Sequence, residues 1–78
     1  MPTLLRVDGF RFFFFSNEGN KPPHVHVESG DGYAKIWLDP LEFVYAVGLH
    51  ANQLRRVRRL VKEHREDFIG KWNEHFGA

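Results

Sequence analysis

The chain of 78 residues contains no cysteine. Disulfides and thiolate metal sites are therefore excluded as a means of stabilising so small a core, and the composition fits a reducing compartment. It also lacks any long hydrophobic run. The longest, Phe12 to Phe15, is far too short to span a bilayer, and MPTLLRVDGF has no apolar stretch before Arg6 and Asp8 that would serve as a secretion signal. The expectation is a soluble, cytoplasmic protein with no membrane partner. No glycine-rich phosphate loop is present, since Gly30-Asp31-Gly32 has the length of a turn and not of a nucleotide fingerprint. Ser16 and Ser29 fall in predicted loops, so no nucleophile constellation can be assembled.

What is present is aromatic and unevenly charged. Eight phenylalanines and a hydrophobic fraction of 42% argue against disorder, and the length allows one domain, 1–78, with a β-rich part over 1–49 and a helical part over 50–78. The net charge of +1 hides an asymmetry: residues 1–50 sum to −2 and residues 51–78 to +3. Leu54 to Lys62 alone, LRRVRRLVK, carries five positive charges and no negative one.

Asp8-Gly9 between LLRV and FRFFFF predicts a tight hairpin. Its second strand places Phe10, Phe12 and Phe14 on one face and Arg11, Phe13 and Phe15 on the other, so both faces should be covered. SNEGNKPP reads as an exposed loop. His24 to Glu28 and Tyr33 to Leu38 follow as strands, and Phe43 to Leu49 alternates with Phe43, Tyr45, Val47 and Leu49 aligned. From Ala51 the period becomes helical. Leu54, Val57, Leu60, Val61, His64, Phe68, Ile69, Trp72 and Phe76 form an apolar stripe opposite Arg55, Arg58, Arg59, Lys62 and Arg65. The predicted fold is α+β: an antiparallel meander of four to five strands packed against a long C-terminal amphipathic helix.

A helix over 51–76 would run about 39 Å at ~1.5 Å per residue, whereas a six-residue strand spans about 20 Å. The stripe around Ile69, Trp72 and Phe76 is thus expected to lack a cover. Either the helix breaks at Gly70, or its end projects and packs on another chain, giving association with itself or with a partner.

Three sets of residues offer chemistry. His24 and His26, two apart on a strand, share a face with Cβ atoms roughly 6 to 7 Å apart. They suit a divalent metal such as Zn²⁺ or Mn²⁺ with a third ligand from Glu28, Asp39, His50 or His64. They equally suit acid and base roles on a phosphodiester, or lining a sheet face and hydrogen-bonding a neighbour. Arg11, on the adjacent strand, would clamp a phosphate beside them as a third catalytic group, or pair with Glu28 or Glu18. Arg55, Arg58, Arg59 and Lys62 have the spacing to follow an RNA backbone, or to form a solvated helix face. Tyr33, Trp37 and Phe13 would make a stacking platform for bases, or core.

The run FFFFSNEGNKPPHVHV, with Ser16, Asn17, Glu18, Pro22, Pro23, His24 and His26, resembles the small prokaryotic family known as domain of unknown function 4160. Trp37, Asp39, Pro40, Arg56 and Trp72 also fall at positions resembling the family pattern, and the resemblance covers nearly the whole chain. His50-Ala51-Asn52-Gln53 departs from the Ser-x-x-Glu capping box expected at the helix start. Members resemble halves of two-gene arrangements proposed to be toxin–antitoxin pairs. The resemblance therefore implies a small partner protein encoded by a neighbouring gene, and no established reaction.

Overall fold

The computed structural model describes residues 3–17 and 19–77. Five strands, β1 (Thr3–Val7), β2 (Phe10–Phe13), β3 (His24–Ser29), β4 (Gly32–Leu38) and β5 (Leu41–Val47), precede one helix, α1 (Ala51–Phe76). The strands form a single antiparallel sheet in chain order, β1-β2-β3-β4-β5, as expected of a meander. None of the described residues forms a helix long and apolar enough to cross a membrane.

The hairpin between β1 and β2 closes where the sequence places it. Val7 pairs with Phe10, and both Asp8 (φ 53°) and Gly9 (φ 82°) are left-handed, the conformation a two-residue turn needs to match strand twist. Pairing of β2 with β3 sets Phe12 opposite Val27 and Phe13 opposite His26; pairing of β3 with β4 sets Val25 opposite Ile36 and Val27 opposite Ala34. One face of the sheet consequently presents Phe10, Phe12, Val25, Val27, Ala34, Ile36 and Leu38 to Val57, Leu60, Val61 and Phe68 of α1, all of them buried. The helix runs antiparallel to β3. At its start Arg56 is hydrogen-bonded to Asp8 in the first turn of the sheet, and at its end Trp72 lies against His24.

Three expectations are corrected. First, α1 neither breaks at Gly70 nor projects: it is continuous to Phe76 and ends at Gly77, whose φ of 70° gives the left-handed cap that glycine favours. The missing cover is supplied by the chain itself. Phe14, just past β2, is 1% exposed and packs on Trp72 and Phe76 at ring distances of 5.2 and 5.3 Å, and His24 meets Trp72 at 4.9 Å. Gly19 comes so close to Phe76 that a Cβ there would collide with its ring. The loop after β2 thus extends the core beyond the sheet, and Trp72 is 3% exposed.

Second, Phe43 and Tyr45 do not share a face. A register shift lets Phe43 pair with Ile36 but Tyr45 with Lys35, so Phe43 packs on the core while Tyr45 points to the opposite side. Third, α1 starts firmly without the Ser-x-x-Glu box. The His50 N–H donates to Gln53 Oε1 at 2.8 Å and Leu54 N–H to His50 O at 2.9 Å.

Candidate functional site

The second face of the sheet carries the histidine pair. His24 and His26 alternate with Val25 and Val27 along β3, so they project on the side of the sheet opposite that pair as the strand period requires, and His24, at the start of the strand, still meets Trp72 at the end of α1. They do not line an open surface. His24 is 0% and His26 3% exposed. A carbonyl can only accept, so His24 Nδ1 donates to Pro22 O at 3.0 Å, which fixes the proton on that nitrogen. His26 Nδ1 and the Tyr33 hydroxyl share a hydrogen bond of 2.6 Å. The His26 ring is stacked between Phe13 (5.5 Å, 23°) and Tyr33 (5.7 Å, 22°), with Phe15 edge-on at 4.7 Å. The two imidazoles meet each other edge to face, 5.1 Å between centroids.

The candidate third ligands are dispersed. Glu28 is bound by Arg11 at 2.8 Å, Asp39 by Arg65 at 2.8 Å, His64 stacks on Phe68 and His50 caps the far end of α1. Among the described residues no three His, Cys, Asp or Glu side chains are grouped to hold a metal ion. Glu18, the alternative partner for Arg11, lies outside the described residues.

Arg11 occupies the same face as the histidines. It is held by Glu28, by Thr3 Oγ1 (3.0 Å) and by the face of Phe13, 4.4 Å from its guanidinium. The Phe13 ring therefore intervenes between Arg11 and His26, and the three form a stacked ladder. Of the proposed stacking platform, Phe13 is buried, whereas Tyr33 and Trp37 remain half-buried, with Lys35 over Trp37 at 5.0 Å.

The cations of α1 divide into two groups. Arg56, Arg65 and Lys71 are committed to carboxylates: Asp8, Asp39 and Asp67 respectively. Arg56 is held above its ordinary pKa first by its hydrogen bond to Asp8 and then by the charge of that carboxylate. Arg55, Arg58, Arg59 and Lys62 have no carboxylate partner among the described residues, and together they line one open groove of about 370 Å³. The four residues that the sequence singles out for phosphate are those the fold leaves uncommitted.

Next to them lies a surface that strand alternation did not disclose. Phe43 and Ala46 of β5 and Leu54 of α1 floor a shallow groove of about 300 Å³, with Arg55 and Arg58 at its rim. Beyond it β5 exposes Val44, Tyr45 and Val47 at 42, 47 and 62%. The only sequence signal for this site is that Phe43 to Val47 contains no charge. An alternating pattern hides it, because the register shift near Val44 moves half the strand to the other face.

Neither the curated proteins nor the solved structures give a match to the chain. The family described as Domain of unknown function (DUF4160) matches residues 9–73, a span from the first hairpin turn to the last turns of α1 that takes in the histidine pair, the β5 edge and the basic helix face. The chain belongs to that family.

Proposed function

We propose that this protein is one half of a two-protein module of toxin–antitoxin type, and that its contribution is a binding surface. The observation that carries this reading is the contrast between the two faces of chemistry in the fold. The histidines are enclosed by rings and held by hydrogen bonds, as cross-links of a small domain are, while an apolar edge strand and uncommitted cations stand exposed beside each other. Exposed apolar patches next to polar rims mark protein interfaces more often than free surface. Co-expression with the product of the neighbouring gene tests it. The expected result is a complex that survives size-exclusion chromatography at physiological salt, with both chains in one peak. Two separate peaks at micromolar concentration would refute it.

A second reading, RNA binding, is favoured by one specific observation: Arg55, Arg58, Arg59 and Lys62 form a continuous cationic groove with no internal counter-charge among the described residues. Affinity of that kind falls steeply with salt, because it rests on release of counterions from phosphate. The divalent-metal reading of His24 and His26 receives no comparable support from the geometry.

A further inference from the structure

The two edges of the sheet are built differently. β1 is five residues long, carries Arg6, is interrupted by a register shift between Thr3 and Leu5, and has the Lys71 ammonium donating to Leu4 O at 3.3 Å. Short length, irregularity and charge are the means by which an edge avoids recruiting another strand. β5 also carries a register shift, near Val44, but it has seven residues, and its one charge, Glu42, lies near its start. Its exposed side chains from Val44 to Val47 are apolar or aromatic, and a long edge of this kind is a template for strand addition.

Side chains of an added strand would alternate between two surroundings. On the α1 side they would cross the floor made by Phe43, Ala46 and Leu54 and reach Arg55 and Arg58. On the other side they would meet Tyr45 and Val47. The first environment suits Glu or Asp, whose carboxylates answer two guanidiniums without counter-charge; the second suits Val, Ile or an aromatic. A second copy of this chain fits less well. Antiparallel pairing of β5 with itself about a two-fold axis perpendicular to the sheet brings both helices to the same face, with the Arg55 and Arg58 pairs opposed across the seam. β5 offers only Glu42 to offset them, and like charges facing across an interface select against the wrong partner.

Resting on the two-protein reading, we propose that the partner docks by adding an extended segment to β5 as a sixth strand, its side chains alternating acidic toward Arg55 and Arg58 and apolar toward Tyr45 and Val47. The site is thus a receptor for an acidic β-strand.

Two measurements test this separately from the parent reading. A capped Val-Glu alternating peptide and its Val-Lys counterpart, titrated into the isotope-labelled full chain, probe the surface without the native partner. The acidic peptide should shift the amides of 42–47 and the Arg55 and Arg58 side chains. It should bind roughly tenfold or more tightly than the basic one, and lose that preference in Arg55→Glu/Arg58→Glu. Equal affinity for the two peptides, or shifts confined to β1 or to the Tyr33 and Trp37 surface, would overturn the proposal. So would single-stranded RNA displacing the acidic peptide as the tighter ligand, or self-association protecting 42–47 in the free chain. Hydrogen exchange on the complex with the neighbouring gene's product supplies the second arm. Protection concentrated at 42–47 supports the proposal, and a complex that leaves 42–47 unprotected overturns it while the two-protein reading stands. Absence of any complex, with the peptide preference intact, removes the two-protein reading and leaves the acidic-strand site.

Discussion

Gly70→Ala isolates the question of how α1 covers its own stripe. Gly70 lies inside the helix, is exposed, has no left-handed φ, and a Cβ built on it meets nothing within 4 Å. With no contact to gain or lose, the change reads backbone propensity alone. An interior glycine is about 0.8 to 1.0 kcal/mol less favourable than alanine in a helix. Gly70 sits about two turns before the C-cap, where fraying trims the gain, so a stabilisation of about 0.5 to 1 kcal/mol is expected. In a domain of this size that raises Tm by about 3 to 6 °C. Gly77→Ala serves as the control of opposite sign. Its φ of 70° places an added Cβ in the left-handed region, at a cost of about 1 kcal/mol. Thermal melts followed by far-UV circular dichroism measure both. Were the helix broken at Gly70, alanine there would be strained and Tm would fall. A drop for Gly70→Ala, with or without the drop for Gly77→Ala, would refute the continuous helix.

Other changes probe the covering loop, the buried pair and the cations. Trp72→Ala removes a ring packed on Phe14, His24 and Phe76, and should cost about 3 to 5 kcal/mol in urea unfolding; a loss below about 1 kcal/mol would mean that the loop does not cover the helix end. Tyr33→Phe takes the hydroxyl from buried His26 Nδ1 and should cost about 1 to 3 kcal/mol with the fold intact by NMR. A Gly48→Ala substitution meets both a φ of 71° and the Asp31 carbonyl oxygen at 3.0 Å, so a loss of about 1 to 2 kcal/mol is expected. Arg55, Arg58 and Arg59 changed together to Gln should flatten the salt dependence of single-stranded RNA retention on filters, by roughly two units of the log–log slope if each contacts a phosphate; an unchanged slope would leave RNA without a role for this face.

The parts of the fold that were legible in the sequence are those fixed by local chemistry. Asp8-Gly9 demands left-handed torsions, and a two-residue turn supplies the place for them. The stripe from Leu54 to Phe76 has a helical period, and its buried members Val57, Leu60, Val61, Phe68 and Trp72 are where the period put them. Hidden from local chemistry is the meeting of Phe14 with Trp72, two residues far apart in the chain, the first of them at the start of a loop with no period. The split of Phe43 from Tyr45 was equally illegible, since a bulge alters facing by one residue and leaves composition untouched.

The histidines show why a candidate site is harder to read than a strand. Period two states that His24 and His26 share a face, and that is correct, but it does not say what stands on that face. The answer comes from elsewhere in the chain: Phe13 and Phe15, Tyr33 from β4, and Trp72 from the helix end. Burial then changes what the same residues do. An imidazole in contact with water can exchange protons and take up a ligand, whereas one enclosed by rings, with its Nδ1 on a carbonyl or a tyrosine hydroxyl, gives direction to packing that dispersion alone leaves loose. The reverse holds for α1. Of its arginines, those that reach a carboxylate on the sheet, Arg56 to Asp8 and Arg65 to Asp39, fasten the helix, and no sequence rule separates them from their neighbours Arg55, Arg58 and Arg59. Only the azimuth of the helix on the sheet does so. Because that azimuth is set by Val57, Leu60 and Val61 on the core, the residues that bury the helix also decide which of its cations reach a carboxylate on the sheet and which do not.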